Sequence, residues 1–148
     1  MLGEPVNEWA GTFSPDMRWI AYSALEYGRS ELWLRPFRVS ESGVPSVGEG
    51  RWQITKDGGN IARWASDKEI IFNDIPWGNG EYAVSVTATG DVPEFGVPER
   101  LFTGPGLASV CWDLAPGGQR FFVALPQVKR TAQAPITVVL NWPALVKK

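Results

Sequence analysis

A tight-turn motif recurs along the chain at intervals of about fifty residues, and this recurrence constrains the fold more than any other feature. Phe13-Ser14-Pro15-Asp16-Met17-Arg18-Trp19-Ile20-Ala21-Tyr22 is echoed by Trp64-Ala65-Ser66-Asp67-Lys68-Glu69-Ile70-Ile71-Phe72. A third copy is Leu114-Ala115-Pro116-Gly117-Gly118-Gln119-Arg120-Phe121-Phe122. Each is an apolar strand end, a polar turn, and a new strand that opens on bulky side chains. Pro15-Asp16 presets the first turn, and Gly117-Gly118 supplies freedom for positive φ. The middle copy is shorter and lacks both Pro and Gly.

Short runs rich in Trp, Val, Ile, Phe and Tyr lie between these turns: WIAYSAL, ELWLRPF, RWQIT, EIIFNDI, YAVSVTA, ERLFT, RFFVALP and ITVVLNW. Sixteen glycines and twelve prolines punctuate them. Runs of this kind between turn residues predict strands, and no segment carries a sustained helical period. The chain is therefore expected to be all-β. Each turn motif is followed by a further strand, at 31–37, 82–88 and 136–142. In the first two copies a fourth follows, at 51–55 and 99–103. Four antiparallel strands per forty to fifty residues is the pattern of a β-propeller blade. The expectation is a single domain, 1–148, of three four-stranded blades at about 7–56, 57–104 and 105–148. That is half of a six-bladed propeller, its last blade one strand short.

Composition removes many functions. The 148 residues contain no histidine and one cysteine, Cys111, so this chain alone builds no Ser-His-Asp or Cys-His machinery. A His-ligated or Cys-rich metal site and an intrachain disulfide are excluded on the same ground. Fourteen Lys and Arg against sixteen Asp and Glu form no basic stripe for nucleic acid. The N-terminus has no signal-peptide pattern, and the longest apolar run, 135–146, is interrupted by Asn141 and Pro143. A soluble chain without membrane insertion is expected, with the compartment left open. Cys111 lies in an apolar run and reads as an inert buried thiol.

FSPDMRWIAYSA, ELWLRPF, GRWQITKDGGNIARWASDKEIIF and LAPGGQRFFVAL followed by APITVVLNWPALVKK resemble TolB-like, WD-repeat-like propeller segments. More narrowly, the stretch from about Trp9 to Lys148 resembles the propeller at the C-terminal end of bacterial serine/threonine protein kinases. The closing APITVVLNWPALVKK is its most specific part. The kinase portion is absent here, so the resemblance does not carry kinase activity over. It implies a sensory or scaffolding role, and a ring that usually closes with six blades rather than three.

Three blades leave two faces and a sheet edge in water. Burying a face of roughly 500 Å² of apolar area contributes about 12 kcal/mol gross, of which association costs take back a variable part. Twofold dimers are the commonest oligomers, so the expected partner is a second copy that completes the ring. The rivals are an accessory propeller of a hydrolase and a truncated fragment without independent function.

No catalytic residue and no cofactor is expected. Six tryptophans, Trp19, Trp33, Trp52, Trp64, Trp112 and Trp142, lie in strand runs and read as packing rather than ligand platforms. The resemblance implies ligand contacts on the loops between second and third strands and between blades. On those loops Tyr27, Arg29, Asp74, Trp77 and Lys129 are the candidate binding residues, set at a channel mouth where a protein or small ligand would dock. Trp77 sits in a Gly- and Pro-rich loop and would otherwise fold over the blade or fill an oligomer contact. Asp16 and Asp67 read as turn residues, because no DxDxDG-type calcium loop occurs. No carboxylate pair suited to glycosidase chemistry can be picked out. Asp57-Gly58-Gly59-Asn60 is not followed by the Lys-Ser/Thr of a phosphate loop.

Overall fold

The structure, a computed structural model, describes residues 7–74, 80–103, 112–115 and 117–123. The described residues contain strands and turns and no helix. Two antiparallel sheets carry most of them. The first comprises β1 (Asn7–Phe13), β2 (Trp19–Glu26), β3 (Arg29–Val39), β4 (Pro45–Val47) and β5 (Trp52–Gln53). The order is β1-β2-β3, with β4 and β5 both pairing β3 at different positions. The second comprises β6 (Asn60–Ser66), β7 (Glu69–Asn73), β8 (Glu81–Thr89), β9 (Val92–Phe95) and β10 (Glu99–Phe102). It repeats the pattern: β6-β7-β8, with β9 and β10 both on β8. A two-stranded sheet follows, β11 (Trp112–Leu114) and β12 (Phe121–Val123).

The three turn motifs occupy equivalent places. Phe13 pairs Ile20, Trp64 pairs Ile70 and Leu114 pairs Phe121, each across the hairpin the motif closes. In the first turn Ser14 is buried, and its Oγ accepts from the N–H groups of Arg18 and Trp19 while donating to Asp16. Gly117 and Gly118 adopt φ of +83° and +69°, which explains the glycine pair there. The first strand of each large sheet, β1 and β6, carries a bulge, at Trp9/Thr12 and Asn60/Arg63. Ala10 and Ile61 take positive φ at these bulges, so a backbone irregularity is repeated along with the sequence.

Strand alternation assigns the faces. On the first sheet Phe13, Ile20, Tyr22, Arg35 and Phe37 share one face, while Ala21, Leu32 and Leu34 share the other. The second of these faces packs into one core with Trp64, Ile70, Phe72, Tyr82 and Val84 of the second sheet. Those five are the second sheet's equivalents of the Phe13–Ile20–Tyr22 face. The opposite face of the second sheet, with Ile71 and Ala83, packs against Trp112, Leu114 and Phe121. Each sheet thus lays the same face on the back of the sheet before it. Among the described residues the Phe13–Ile20–Phe37 face of the first sheet has no such cover. Phe13 is 45% exposed, and an open groove of about 610 Å³ runs between it, Tyr22, Phe37 and Val47.

The strand expectations need two corrections. RWQIT forms a strand only at Trp52–Gln53, because beyond Ile54 a side chain replaces the ladder: the Leu32 N–H donates to Thr55 Oγ1. Pro45–Val47 and Val92–Phe95 were not among the expected runs, since proline usually marks strand ends. Pro45 and Pro93 sit at matching edge positions, opposite Val39 and Ala88, where a missing N–H costs nothing. ITVVLNW, Trp142 and Cys111 lie outside the described residues.

Candidate functional site

Two connections and the end of β7 at Asp74 lie together at one end of the two large sheets. The β2–β3 turn is a two-residue loop, Tyr27-Gly28, with φ of +51° and +80°, the geometry that suits the twist of a hairpin. Tyr27 is fully exposed there. Arg29 follows and is not free to roam. Its Nη2 donates to the Lys56 carbonyl at 3.0 Å, and its Nε lies 3.0 Å from Glu31 Oε1.

Glu31 builds the second connection, residues 54–59. Its buried carboxylate accepts from the Thr55 hydroxyl and from the Gly58 N–H. The Ser30 hydroxyl adds a bond to the Gly59 carbonyl at 2.9 Å. Gly58 has a φ of +99°, so a side chain there would strain the loop. These bonds set Lys56 and Asp57, both exposed, at a fixed rim. Glu31 reads from the sequence only as part of a strand run; its place just before the apolar Leu32-Trp33-Leu34 was the available signal.

At the end of β7, Asp74 Oδ1 accepts the Gly80 N–H at 3.2 Å. Asp74 faces a cleft of about 760 Å³ between the outer parts of the two sheets. One wall is residues 52–58 and the other is 93–98. Trp52 and Tyr82 line it, each backed by a core ring: Trp52 edge-on to Trp19 at 5.9 Å, Tyr82 stacked on Phe72 at 5.6 Å. Phe95 completes the aromatic lining, and Glu94 stands beside it.

Of the five candidate binding residues, the structure brings Tyr27, Arg29 and Asp74 to the same end, and only Asp74 into the cleft. Trp77 and Lys129 lie outside the described residues. The tryptophans read as packing divide. Trp19 and Trp112 are buried, whereas Trp33, Trp52 and Trp64 are partly exposed. Trp52 serves both core and cleft. Trp33 carries the Arg51 guanidinium 3.6 Å above its ring; Arg51 also donates to the Tyr22 hydroxyl and pairs with Glu26. Burial pushes the Tyr22 phenol up despite that neighbouring cation. Asp16 and Asp67 are turn residues, as expected.

One titratable group stands apart. Glu81 is 1% exposed on the second sheet, and neither carboxylate oxygen has a hydrogen-bond partner. Burial, with the charge of Asp74 adding to it, raises its pKa to about 7. Asn73, directly across the strand pair, likewise buries an unpartnered Oδ1. Among the described residues no group of three or more Cys, Asp or Glu is placed to hold a metal ion.

No family model, curated protein or solved structure matches this chain.

Proposed function

We propose that this chain is a non-catalytic β-propeller interaction module that completes its ring by pairing with a second copy. In this reading the three sheets are blades, and β4 with β5, like β9 with β10, form a broken fourth strand. The carrying observation is that, among the described residues, the face buried in the second sheet stays open in the first. Ile70, Phe72 and Val84 are covered by the first sheet, while their equivalents Ile20, Tyr22 and Arg35 border a groove.

The packing rule between sheets also selects the occupant. Every inter-sheet contact sets this face on the back of another sheet, so what fits the first sheet is the back of a last sheet. Two copies related by a twofold axis offer two such contacts at once and leave no open end. Phe13, Phe37 and Val47 supply the apolar centre of the contact, with Arg35 at its border. Ligand recognition then belongs to the loop end that carries Tyr27, Arg29 and Asp74.

Absolute mass by light scattering over a concentration series tests this reading. A stable mass of twice the 16.3 kDa chain is expected. Phe13→Asp with Val47→Asp, both on the exposed groove, should give a folded monomer. A monomeric parent chain, or a dimer indifferent to both changes, overturns the proposal. Broad, concentration-dependent aggregation points to the truncated fragment instead.

A further inference from the structure

The cleft between the first two sheets lies within one chain, so its chemistry is independent of any second copy. Its walls are aromatic and held in place. Trp52 and Tyr82 each rest on a core ring, and Phe95 is partly buried against the same core. Aromatic faces attract cations through their quadrupole, and they do so best where water is partly excluded. Among the described residues of the lining, carboxylates outnumber cations. Asp57, Asp74 and Glu94 contribute three carboxylates against the single ammonium of Lys56.

Placement strengthens this. Asp57 and Glu94 stand on opposite walls, one on the 52–58 segment and the other on the 93–98 segment. Neither takes part in an ion pair among the described residues, although such pairs form elsewhere, as between Arg29 and Glu31 or Arg51 and Glu26. Asp57 is held at the rim because the next residue, Gly58, is tied to buried Glu31. A volume of about 760 Å³ is the size that encloses a small organic molecule.

We propose that this cleft binds a small organic cation, an ammonium head on an apolar or aromatic body. The body lies against Trp52, Tyr82 and Phe95, and the head sits between Asp57, Asp74 and Glu94. An anion would meet three like charges there. A neutral molecule of the same shape would forgo the charge attraction and keep only the apolar contact.

The test uses the full chain with phenethylamine, its neutral isostere 2-phenylethanol, and a short Lys-Pro-rich peptide. Binding is followed by NMR through the Trp52 indole N–H resonance. The amine should shift that resonance saturably and bind about tenfold more tightly than the alcohol, with affinity falling as salt is added. Asp57→Asn combined with Glu94→Gln should weaken the amine about tenfold and leave the alcohol unchanged. Both positions are exposed, and an unchanged melting curve shows that the fold survives. Equal affinity for amine and alcohol overturns the proposal, as does indifference to the double change. Peptide binding without amine binding also overturns it, in favour of a peptide groove.

Discussion

The main-chain N–H of Asp16 donates to the side chain of Asp67 at 2.8 Å, and the two residues occupy the same turn of successive repeats, fifty-one positions apart. Other contacts share that spacing. Trp9 Nε1 reaches Asn60 Oδ1 at 2.9 Å, also fifty-one positions on, and Arg63 meets Asp113 fifty positions on. A turn residue therefore serves two tasks: it shapes its own hairpin and ties that hairpin to the next one.

Removing the tie should loosen the junction between the first two sheets. Asp67→Ala is expected to cost about 1 kcal/mol, because it deletes one exposed, charge-assisted acceptor. Asp67→Asn keeps an oxygen in place and should cost less than half as much. Urea denaturation of the two variants checks the ranking.

Glu31→Ala should be far more damaging, at about 2–3 kcal/mol, since it leaves the buried Thr55 hydroxyl and Gly58 N–H without their acceptor. The loss should be local as well as global. Amide exchange at Gly58 should accelerate more than exchange in β7, and equal acceleration would show that the carboxylate does not organise the loop.

Stability should depend on pH through Glu81. Its carboxyl titrates near 7 when folded and near 4.5 otherwise, so between those values the native state holds the extra proton. Stability then falls as pH rises from about 4.5 to about 7, by up to about 3 kcal/mol, and levels off above. Glu81→Gln should flatten that slope and exceed the parent in stability at pH 8. Denaturation at pH 5 and pH 8 decides it; a parent chain equally stable at both is the contrary result.

Tyr27 holds a left-handed backbone conformation at φ +51° with its ring in water. Tyr27→Asn suits that conformation better and should stabilise the hairpin by about 0.5–1 kcal/mol. If the ring contacts a ligand at the loop end, the same change lowers affinity while raising the melting temperature. A variant that is both less stable and unaltered in binding would leave Tyr27 no role at this turn.

Much of the fold was legible in one dimension. The turn motifs predicted three hairpins that pair alike, because a tight turn depends on neighbours in sequence: Ser14 caps its own loop, and Gly117-Gly118 bends where bending is needed. The proline-bearing strands β4 and β9 were hidden, since whether Pro45 and Pro93 fall at an edge is a property of the sheet. Glu31 and Glu81 were equally hidden. Each is a buried carboxylate in a strand, and only its tertiary neighbours separate the one that is bonded from the one that is not.

By itself, the sequence determined the repeat, the all-β character and the absence of histidine chemistry, because these rest on composition and local conformational preference. The tertiary structure alone decided that Asp57, Asp74 and Glu94 line one cleft with the rings of Trp52, Tyr82 and Phe95. Those six residues come from two sheets and span more than forty positions, and no local periodicity brings them together. Packing one sheet on the back of another does. Among the described residues the same packing leaves the face of Phe13 and Phe37 open, because no described sheet lies against it.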